Sequence, residues 1–333
     1  MPTRFSCKRN VPMACLLLAA AMFAATSLFG VPSVAQTYPS KPVRMIIPFP
    51  PGGSNDIVGR MIAMQLTERL GTQVVVDNRG GAGGIIGTEI AAKAQPDGHT
   101  LLIISIAYAF NPSLYKLSFD PVKSFAPVTI LGTGPNVLAV FPGLPAHSVK
   151  ELIALARQKP GQMNYAAAGV GTFQHLSSEL FRIMAGVNIV TVQFKGGGPA
   201  TIDVIAGHTQ ISMGSLIQTL PFIRSGRLRA LGTGGLKRTA ILPEVLTIAE
   251  AGVPGYEANN WWGILAPAGT PGAIINRLHE EVSVILKSTE TQKRFSSEGA
   301  ESVQMSPAEF GKFIAAETVK WARVVKEAGI RAE

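Results

Sequence analysis

Four times in this chain a short apolar segment is followed by a glycine-rich turn and then by a helical pattern. The turns lie at residues 50–55, 80–84, 169–172 and 196–199. Apolar segments that alternate with helical patterns, without hairpin signals between them, predict an α/β fold with mainly parallel sheets. Because open sheets bind ligands at the carboxyl ends of their strands, we expect the four turns to meet at one cleft.

In the first of these turns, residues 43–47 are apolar enough for a buried strand, and helical spacing of apolar residues follows the turn. Gly52 and Gly53 let the backbone approach a ligand closely. Ser54 or Asn55 is able to cap the helix. The unpaired amide groups at such a helix start favour a carboxylate or a phosphate. A plain connecting loop before a capped helix is the alternative interpretation.

The glycine spacing does not match a nucleotide-binding fingerprint. In the second turn, Gly81 and Gly83 would need a third glycine at the position of Ile86. The sequence also lacks the glycine, lysine and hydroxyl pattern of a P-loop. We therefore expect glycine-opened helix starts that bind no cofactor.

The amino-terminal 35 residues have the three parts of a secretory signal. Three basic side chains precede a nearly pure apolar run at residues 13–29, and small residues offer a cleavage point after Ala35. A membrane anchor is the alternative, but the run is short for a span and the cleavage point follows directly. We expect residues 1–35 to be removed and the remaining chain to be periplasmic.

The composition after this leader narrows the classes of function. Cys7 and Cys15 both lie in the leader, so the exported chain is expected to have neither a disulfide nor a thiol nucleophile. Three basic residues lie there as well, which reduces the net charge from +9 to +6. This excess fits an acidic ligand, whereas no basic run with interleaved aromatic residues predicts nucleic-acid binding.

The sequence shows no catalytic or metal-binding motif. No serine lies in a nucleophile elbow, and no pattern matches a zinc protease or a Cys/His metal cluster. Only His175, among five scattered histidines, lies beside a glycine turn, where we expect it to cap a helix or bond a ligand oxygen. Asp56 either stabilises the helix dipole or meets an amino group of the ligand. We therefore predict a protein that is not an enzyme and holds no metal.

A series of ordered motifs resembles the Bug family, the solute-binding proteins of tripartite tricarboxylate transporters. The matching segments run through nearly all of the chain after the leader: residues 48–56, 78–84, 96–98, 168–176, 195–200, 226–231, 249–256 and 266–271. So many motifs in one order make the resemblance specific.

The resemblance implies a two-lobed periplasmic binding protein fold of type II, a Venus flytrap that closes on its ligand. Residues 36–134 together with 228–333 would form the first lobe, and residues 135–227 the second. The implied ligand is a small carboxylate: a dicarboxylate, a tricarboxylate, an acidic amino acid, or an aromatic or other organic acid. The protein is expected to be a monomer that delivers this ligand to membrane transporter subunits. Docking on a membrane sensor is the alternative role, and an enzyme acting on a carboxylate is a third.

By position in the matching motifs, the resemblance also implies which residues hold the carboxylate. They lie at three of the glycine turns and just after the strand at residues 100–104: Gly52, Gly53, Ser54, Asn55, Ser105, Ala107, Gly169, Gly171, Thr172, His175, Gly196 and Gly197.

Four positions near the expected cleft depart from the family pattern. Ala167 replaces a common serine and Phe194 a common tyrosine, while Gln210 and Gly214 replace acidic residues. The loss of hydroxyl groups and of acids suggests a less polar carboxylate and the loss of the usual amino-acid ligands.

Overall fold

The computed structural model describes residue 3, residues 38–327 and residues 329–331. Apart from residue 3, the predicted leader lies outside the described residues, as do its cleavage point and both cysteines. From Pro39 onward the described chain forms one compact unit. Among the described residues, no helix is long and apolar enough to cross a membrane.

The strands of the described chain are short, apart from two long ones. They are β1 (Val43–Ile47), β2 (Val74–Asn78), β3 (Thr100–Ser105), β4 (Phe125–Pro135), β5 (Val137–Val140), β6 (Asn164–Ala167), β7 (Val190–Gln193), β8 (Ile211–Ser212), β9 (Arg229–Thr233), β10 (Asn259–Pro267) and β11 (Glu301–Ser302).

The helices alternate with these strands through most of the chain. They are α1 (Ser54–Leu70), α2 (Ile85–Ala92), α3 (Ala107–Leu114), α4 (Val149–Gln158), α5 (Phe173–Ala185), α6 (Gly197–Ile205), α7 (Leu216–Arg224), α8 (Gly272–Lys287), α9 (Thr289–Ser297) and α10 (Pro307–Glu327). A 3₁₀ turn at Ala82–Gly84 precedes α2.

The strands form two separate sheets. Six of them lie in the order β11-β4-β10-β3-β1-β2, and the other five in the order β7-β6-β8-β5-β9. We call the six-stranded sheet with its helices the first lobe, and the five-stranded sheet with its helices the second lobe. The predicted α/β architecture with two lobes is confirmed.

The sheets are mixed rather than mainly parallel. Strand β1 runs parallel to β2 and β3, and β6 runs parallel to β7 and β8. In contrast, β10 is antiparallel to β3 and β4, and β5 is antiparallel to β8 and β9. The reason is the route of the chain: it leaves the first sheet through β4 and returns through β10, so these strands run in opposite directions.

Two backbone segments cross between the sheets, one between β4 and β5 and one between β9 and β10, and they hold each other by hydrogen bonds. The Asn136 N–H donates to Ala258 O at 3.2 Å, the Gly234 N–H to Asn136 O at 2.9 Å, and the Ala258 N–H to Gly234 O at 2.9 Å. The sequence placed the second crossing near residue 228, but β9 pairs with β5 in the second sheet. We therefore propose that the first lobe resumes between residues 233 and 259, because a strand belongs with the sheet that satisfies its backbone.

The core explains the apolar strand segments. Met45, Ile46 and Ile47 of β1 are fully buried, as are Leu101 and Leu102 of β3. Central strands covered by helices on both faces need apolar residues at successive positions, which is the run that the sequence shows.

One predicted loop is a helix. The sequence suggested a polar mouth at residues 105–111, but α3 begins at Ala107 and contains Pro112. Burial of Ala109 and Phe110, both fully covered, outweighs the helix-breaking tendency of the proline.

Candidate functional site

The loops of the two lobes enclose a cavity of about 50 Å³. Half of its lining residues come from each lobe: Phe49, Gly53, Ser54, Asn55, Ser105, Ala107 and Asn260 from the first, and Ala168, Thr172, Phe173, Gln174, Gly197, Ser215 and Gln218 from the second. The predicted meeting of strand-to-helix turns therefore occurs, with three of the four glycine turns contributing to the lining.

Five helices begin at this cavity. Their first residues or N-caps line it: Ser54 of α1, Ala107 of α3, Phe173 of α5, Gly197 of α6 and Ser215 before α7. The first amide groups of a helix have no partner within it, and the macrodipole places partial positive charge there. Five such ends around one small volume favour a bound anion.

No charged side chain is among the residues that line the cavity. The polar side chains present are hydroxyls and amides, which are neutral. An anion in this cavity would therefore be held by helix ends and hydrogen-bond donors, without an arginine or lysine among the lining residues.

Ser54 lies at the centre of a cluster of hydrogen-bonding groups. Its Oγ is 3.3 Å from Trp262 Nε1 and 3.4 Å from Asn260 Nδ2, and both of these nitrogens are donors. Ser215 Oγ of the second lobe lies 3.4 Å from Ser54 Oγ, and it accepts from Asn260 Nδ2 at 3.1 Å. Because the indole and the amide both donate to Ser54, its own hydroxyl hydrogen is available to an acceptor in the cavity.

Asn55 supplies a second donor. The residue is 5% exposed, and its Nδ2 has no hydrogen-bond partner among the described residues. A buried donor without a partner costs free energy in the folded protein, so such groups are rare unless they serve a ligand. Its place in the lining shows where that ligand would lie.

Asp56 points away from the cavity and fastens the turn instead. Its carboxylate accepts from the Gly52 N–H at 3.0 Å, from Arg60 Nε at 2.9 Å and from Asn78 Nδ2 at 2.9 Å. Burial alone would raise the pKa of Asp56, but these hydrogen bonds, from Arg60 first, outweigh it and lower the pKa below its usual value. Asp56 lies in the first turn of α1, in agreement with the helix-dipole role considered from the sequence, and it is not among the residues that line the cavity.

We expect Asp56→Ala to destabilise the protein by about 1–3 kcal/mol, since it leaves the Gly52 amide without its partner and removes one of the two acceptors of Asn78 Nδ2. Because the pKa of the folded carboxyl is lowered, its contribution is full above the usual value of 3.8 and is lost as the pH falls through the lowered pKa. Urea unfolding of both proteins from neutral to acid pH checks this. A stability difference that grows as the pH falls would contradict it.

The lobes touch at the rim of the cavity. A Cβ placed on Gly196 would lie 3.0 Å from the Pro50 ring, and one placed on Gly52 would lie 3.8 Å from Gly198 Cα. Tyr115 of the first lobe donates its hydroxyl to Val170 O of the second at 3.1 Å. These contacts describe a closed cleft whose rim is made of glycine and proline, which allow close approach.

Seven of the twelve residues predicted for the site line the cavity: Gly53, Ser54, Asn55, Ser105, Ala107, Thr172 and Gly197. Capping by Ser54 or Asn55, however, is wrong. Gly53 is the N-cap of α1 and no side chain bonds its first amides, because the helix begins one residue earlier than a serine cap requires.

The other five predicted site residues do not line the cavity: Gly52, Gly169, Gly171, His175 and Gly196. They shape the turns. Gly169 O accepts from Thr172 Oγ1 at 2.7 Å, and His175 Nδ1 accepts from the Gly171 N–H at 3.4 Å. Gly52, Gly169, Gly171 and Gly196 all have positive φ, which explains the choice of glycine without any ligand contact.

Seven lining residues were missing from the sequence prediction: Phe49, Ala168, Phe173, Gln174, Ser215, Gln218 and Asn260. Phe49, Ala168, Phe173 and Gln174 neighbour predicted positions, so a wider window would have included them. Ser215 directly follows Gly214, one of the positions that the resemblance placed near the cleft, whereas Gln218 lies inside α7 and Asn260 at the start of a long strand, and neither of these two carried a signal.

Comparison with known proteins identifies the family. The model of the tripartite tricarboxylate transporter family receptor, TctC, matches residues 58–330. Protein BugT of Bordetella pertussis is 38% identical over 323 residues, which are 95% of this chain and 98% of BugT.

Two solved structures extend the comparison. The periplasmic binding protein BugD superposes with a TM-score of 0.86 at 33% identity, over 89% of this chain and 100% of that one. R. palustris Rpa4515 with adipate superposes with a TM-score of 0.86 at 36% identity, over 88% of this chain and 99% of that one. The resemblance found in the motifs and the periplasmic binding protein fold are confirmed. This chain belongs to the tripartite tricarboxylate transporter receptor family, the solute-binding proteins of the Bug type.

Proposed function

We propose that this chain captures a small dicarboxylate in the interlobe cavity and delivers it to the membrane subunits of a transporter. The observation that carries the proposal is the meeting of five helix starts around a cavity without charged side chains. The adipate named with Rpa4515, a relative of the same fold, supports the ligand class.

The donors of the first lobe would bind one carboxylate. The Ser54 hydroxyl, the Asn55 amide and the first amide groups of α1 come from adjacent residues, so they reach one ligand group together. Hydrogen bonds to a charged acceptor are stronger than neutral ones, which makes this cluster the main source of affinity.

The remaining lining suits the rest of a dicarboxylate. Phe49, Phe173, Ala107 and Ala168 offer apolar surface to methylene groups, while Gln174, Gln218 and Asn260 offer neutral amides to a second polar group. Because no carboxylate lines the cavity, the ammonium group of an acidic amino acid would lack a charged partner.

We expect L-aspartate to bind at least about tenfold more weakly than succinate, because its ammonium group would be buried without a counter-ion. Isothermal titration with the two compounds, equal in chain length, measures the difference. Equal affinities would show that the ammonium group finds a partner that the cavity lining does not provide.

The cavity lacks the parts of a hydrolytic site. Ser54 Oγ has an indole and an amide nitrogen beside it rather than a general base, and His175 lies outside the lining with Nδ1 bonded to the Gly171 amide. We therefore infer a receptor rather than an enzyme. Periplasmic location after removal of the leader, a monomeric state and docking of the closed form on transporter subunits complete the proposal.

A thermal-shift screen of the purified protein against small carboxylates, sugars and neutral amides tests the function. A ligand that binds only the folded state raises the melting temperature as its concentration rises. We expect a dicarboxylate to give the largest shift and to be recovered unchanged. A shift with neutral compounds only, or consumption of the carboxylate, would refute the proposed role.

A further inference from the structure

A second, larger cavity lies beside the segments that cross between the lobes. Its volume is about 410 Å³. One wall is the segment 235–241, which follows β9. The other wall consists of residues 133–135, Asn259 and residues around the short strand β11, including Ala300 and Glu301.

This hinge cavity lies on the far side of the crossing segments from the ligand site. In the first sheet, β1 and β3, whose loops reach the ligand site, lie on one side of β10, while β4 and β11 lie on the other. In the second sheet, β6 and β8 lie on one side of β5 and β9 lies on the other. The hinge cavity is built around β4, β9 and β11, so the crossing segments separate the two sites.

The two walls of the hinge cavity belong to different lobes. Ile241 and Leu242 pack with Val137 and Leu216, which are second-lobe residues. Glu301 lies in β11, which pairs with β4 of the first sheet. Because groups on opposite sides of a hinge move in opposite senses, we expect closing of the ligand cleft to widen the hinge cavity and opening of the cleft to narrow it.

The start of α7 links the two sites directly. Ser215 lines the ligand site and accepts from Asn260 of the first lobe at 3.1 Å. The next residue, Leu216, packs so closely on Gly299 that a Cβ on this glycine would lie 2.5 Å from a Leu216 methyl carbon. Gly299 itself lines the hinge cavity. The first turn of α7 is therefore in contact with both sites.

The chemistry of the walls indicates the class of occupant. The walls have an apolar surface made of Pro135, Leu236, Ile241 and two alanines, and the Leu236 side chain is 74% exposed. Lys237 is exposed and has no ion pair among the described residues. Arg238 pairs with Glu250 at 3.1 Å, which leaves Lys237 as the cation available on this wall.

We propose that the hinge cavity is an allosteric site for a small molecule with an apolar body and one anionic group. The anion would lie against Lys237, and Glu301 on the opposite wall would disfavour a second anionic group. Because the cavity is widest when the cleft is closed, its occupant would favour the closed form. The coupling to ligand affinity rests on the proposed carboxylate function, whereas the site itself does not.

Anilinonaphthalene sulfonate, a fluorescent molecule with an apolar body and one anionic group, is a suitable probe. We expect it to bind the ligand-free protein with one tight site per chain. Lys237→Ala should weaken this binding by about tenfold, the scale of one lost charge-assisted contact. Lys287→Ala, which changes an exposed lysine at the end of α8, is the matched control and should leave it unchanged.

Uncharged phenylnaphthylamine completes this test. It should bind more weakly than the sulfonate and be insensitive to Lys237→Ala. If the affinity for the sulfonate probe is the same in the parent protein, in Lys237→Ala and in a variant whose cavity is filled by a larger side chain, the proposed site is wrong. Equal binding of the charged and uncharged probes would overturn its selectivity for an anion.

The coupling is tested by filling the cavity from its own wall. Ala240→Trp places an indole at an exposed lining residue and should abolish tight probe binding, while Ala316→Trp on the exposed face of α10 should not. In the Ala240→Trp variant, the carboxylate with the largest thermal shift should bind about fivefold or more tightly, the scale of typical allosteric coupling.

The effects of the carboxylate and the probe on each other's affinity must be equal, which gives the last test. A saturating carboxylate should tighten binding of the sulfonate probe by the same factor by which the probe tightens binding of the carboxylate. If the carboxylate and the probe lower each other's affinity or leave it unchanged, the proposed coupling is wrong. If no carboxylate binds at all, the proposed function fails, and the probe, Lys237→Ala and Ala240→Trp measurements still decide whether the hinge site exists.

Discussion

Replacing Asn55 with leucine should weaken dicarboxylate binding by roughly 1.5–3 kcal/mol, which is between tenfold and about a hundredfold in Kd. The variant removes the unpartnered Nδ2 donor from the cavity and keeps nearly the same side-chain shape. Because that donor is unsatisfied in the ligand-free protein, its removal should leave the free energy of unfolding unchanged or raise it by up to about 1 kcal/mol. Isothermal titration and urea unfolding measure the two effects.

Asn78→Leu is the matched control for Asn55→Leu. Asn78 Nδ2 donates to Phe49 O at 3.0 Å and to Asp56 at 2.9 Å, so this asparagine has a structural role. Its loss should lower the free energy of unfolding, the opposite sign from Asn55→Leu. If Asn55→Leu destabilises the protein as much as Asn78→Leu does, then the Asn55 donor serves the fold rather than a ligand.

Gly198→Leu should weaken ligand binding by about tenfold to a hundredfold by preventing full closure. A Cβ at this position would lie 3.2 Å from Pro51 O in the opposite lobe, so a leucine has room only if the lobes part. Gly198 does not have positive φ, and the backbone therefore accepts a side chain. We expect faster ligand release, measured by stopped-flow fluorescence of the tryptophans, among which Trp262 donates to Ser54.

Gly272→Leu is the control for this closure test. Gly272 begins α8, and a Cβ there would meet no atom within 4 Å. It should leave ligand release unchanged. Small-angle scattering should show Gly198→Leu more extended than the parent protein at saturating ligand. Normal affinity together with a compact form would mean that the rim contact does not limit closure.

The sequence was sufficient to predict the kind of site because its signals are local. Glycines with positive φ after an apolar strand mark a helix start on their own, as Gly52 and Gly196 do. Since parallel strands share an edge, several such starts imply one cleft. The turn at residues 50–55 followed directly from this reasoning, and the structure brings residues 53–55 of it to the cavity.

Residues that reach the site through tertiary structure were not predictable in this way. Asn260 is the second residue of a nine-residue strand and pairs with Gly134 of β4, so only the long-range pairing of β10 brings it to Ser54. Trp262, in the same strand, donates to Ser54 through its indole nitrogen. Long-range pairing fixes such contacts, and local pattern does not record it.

The most direct test of the central claim compares adipate with adipamide by isothermal titration. The two molecules have the same length and shape, but only adipate is charged. If helix starts and neutral donors hold an anion, adipate should bind with one site per chain and adipamide at least about a hundredfold more weakly, since hydrogen bonds to charged groups are about twice as strong and two ends are affected. Equal binding of adipamide would contradict anion capture at the five helix starts.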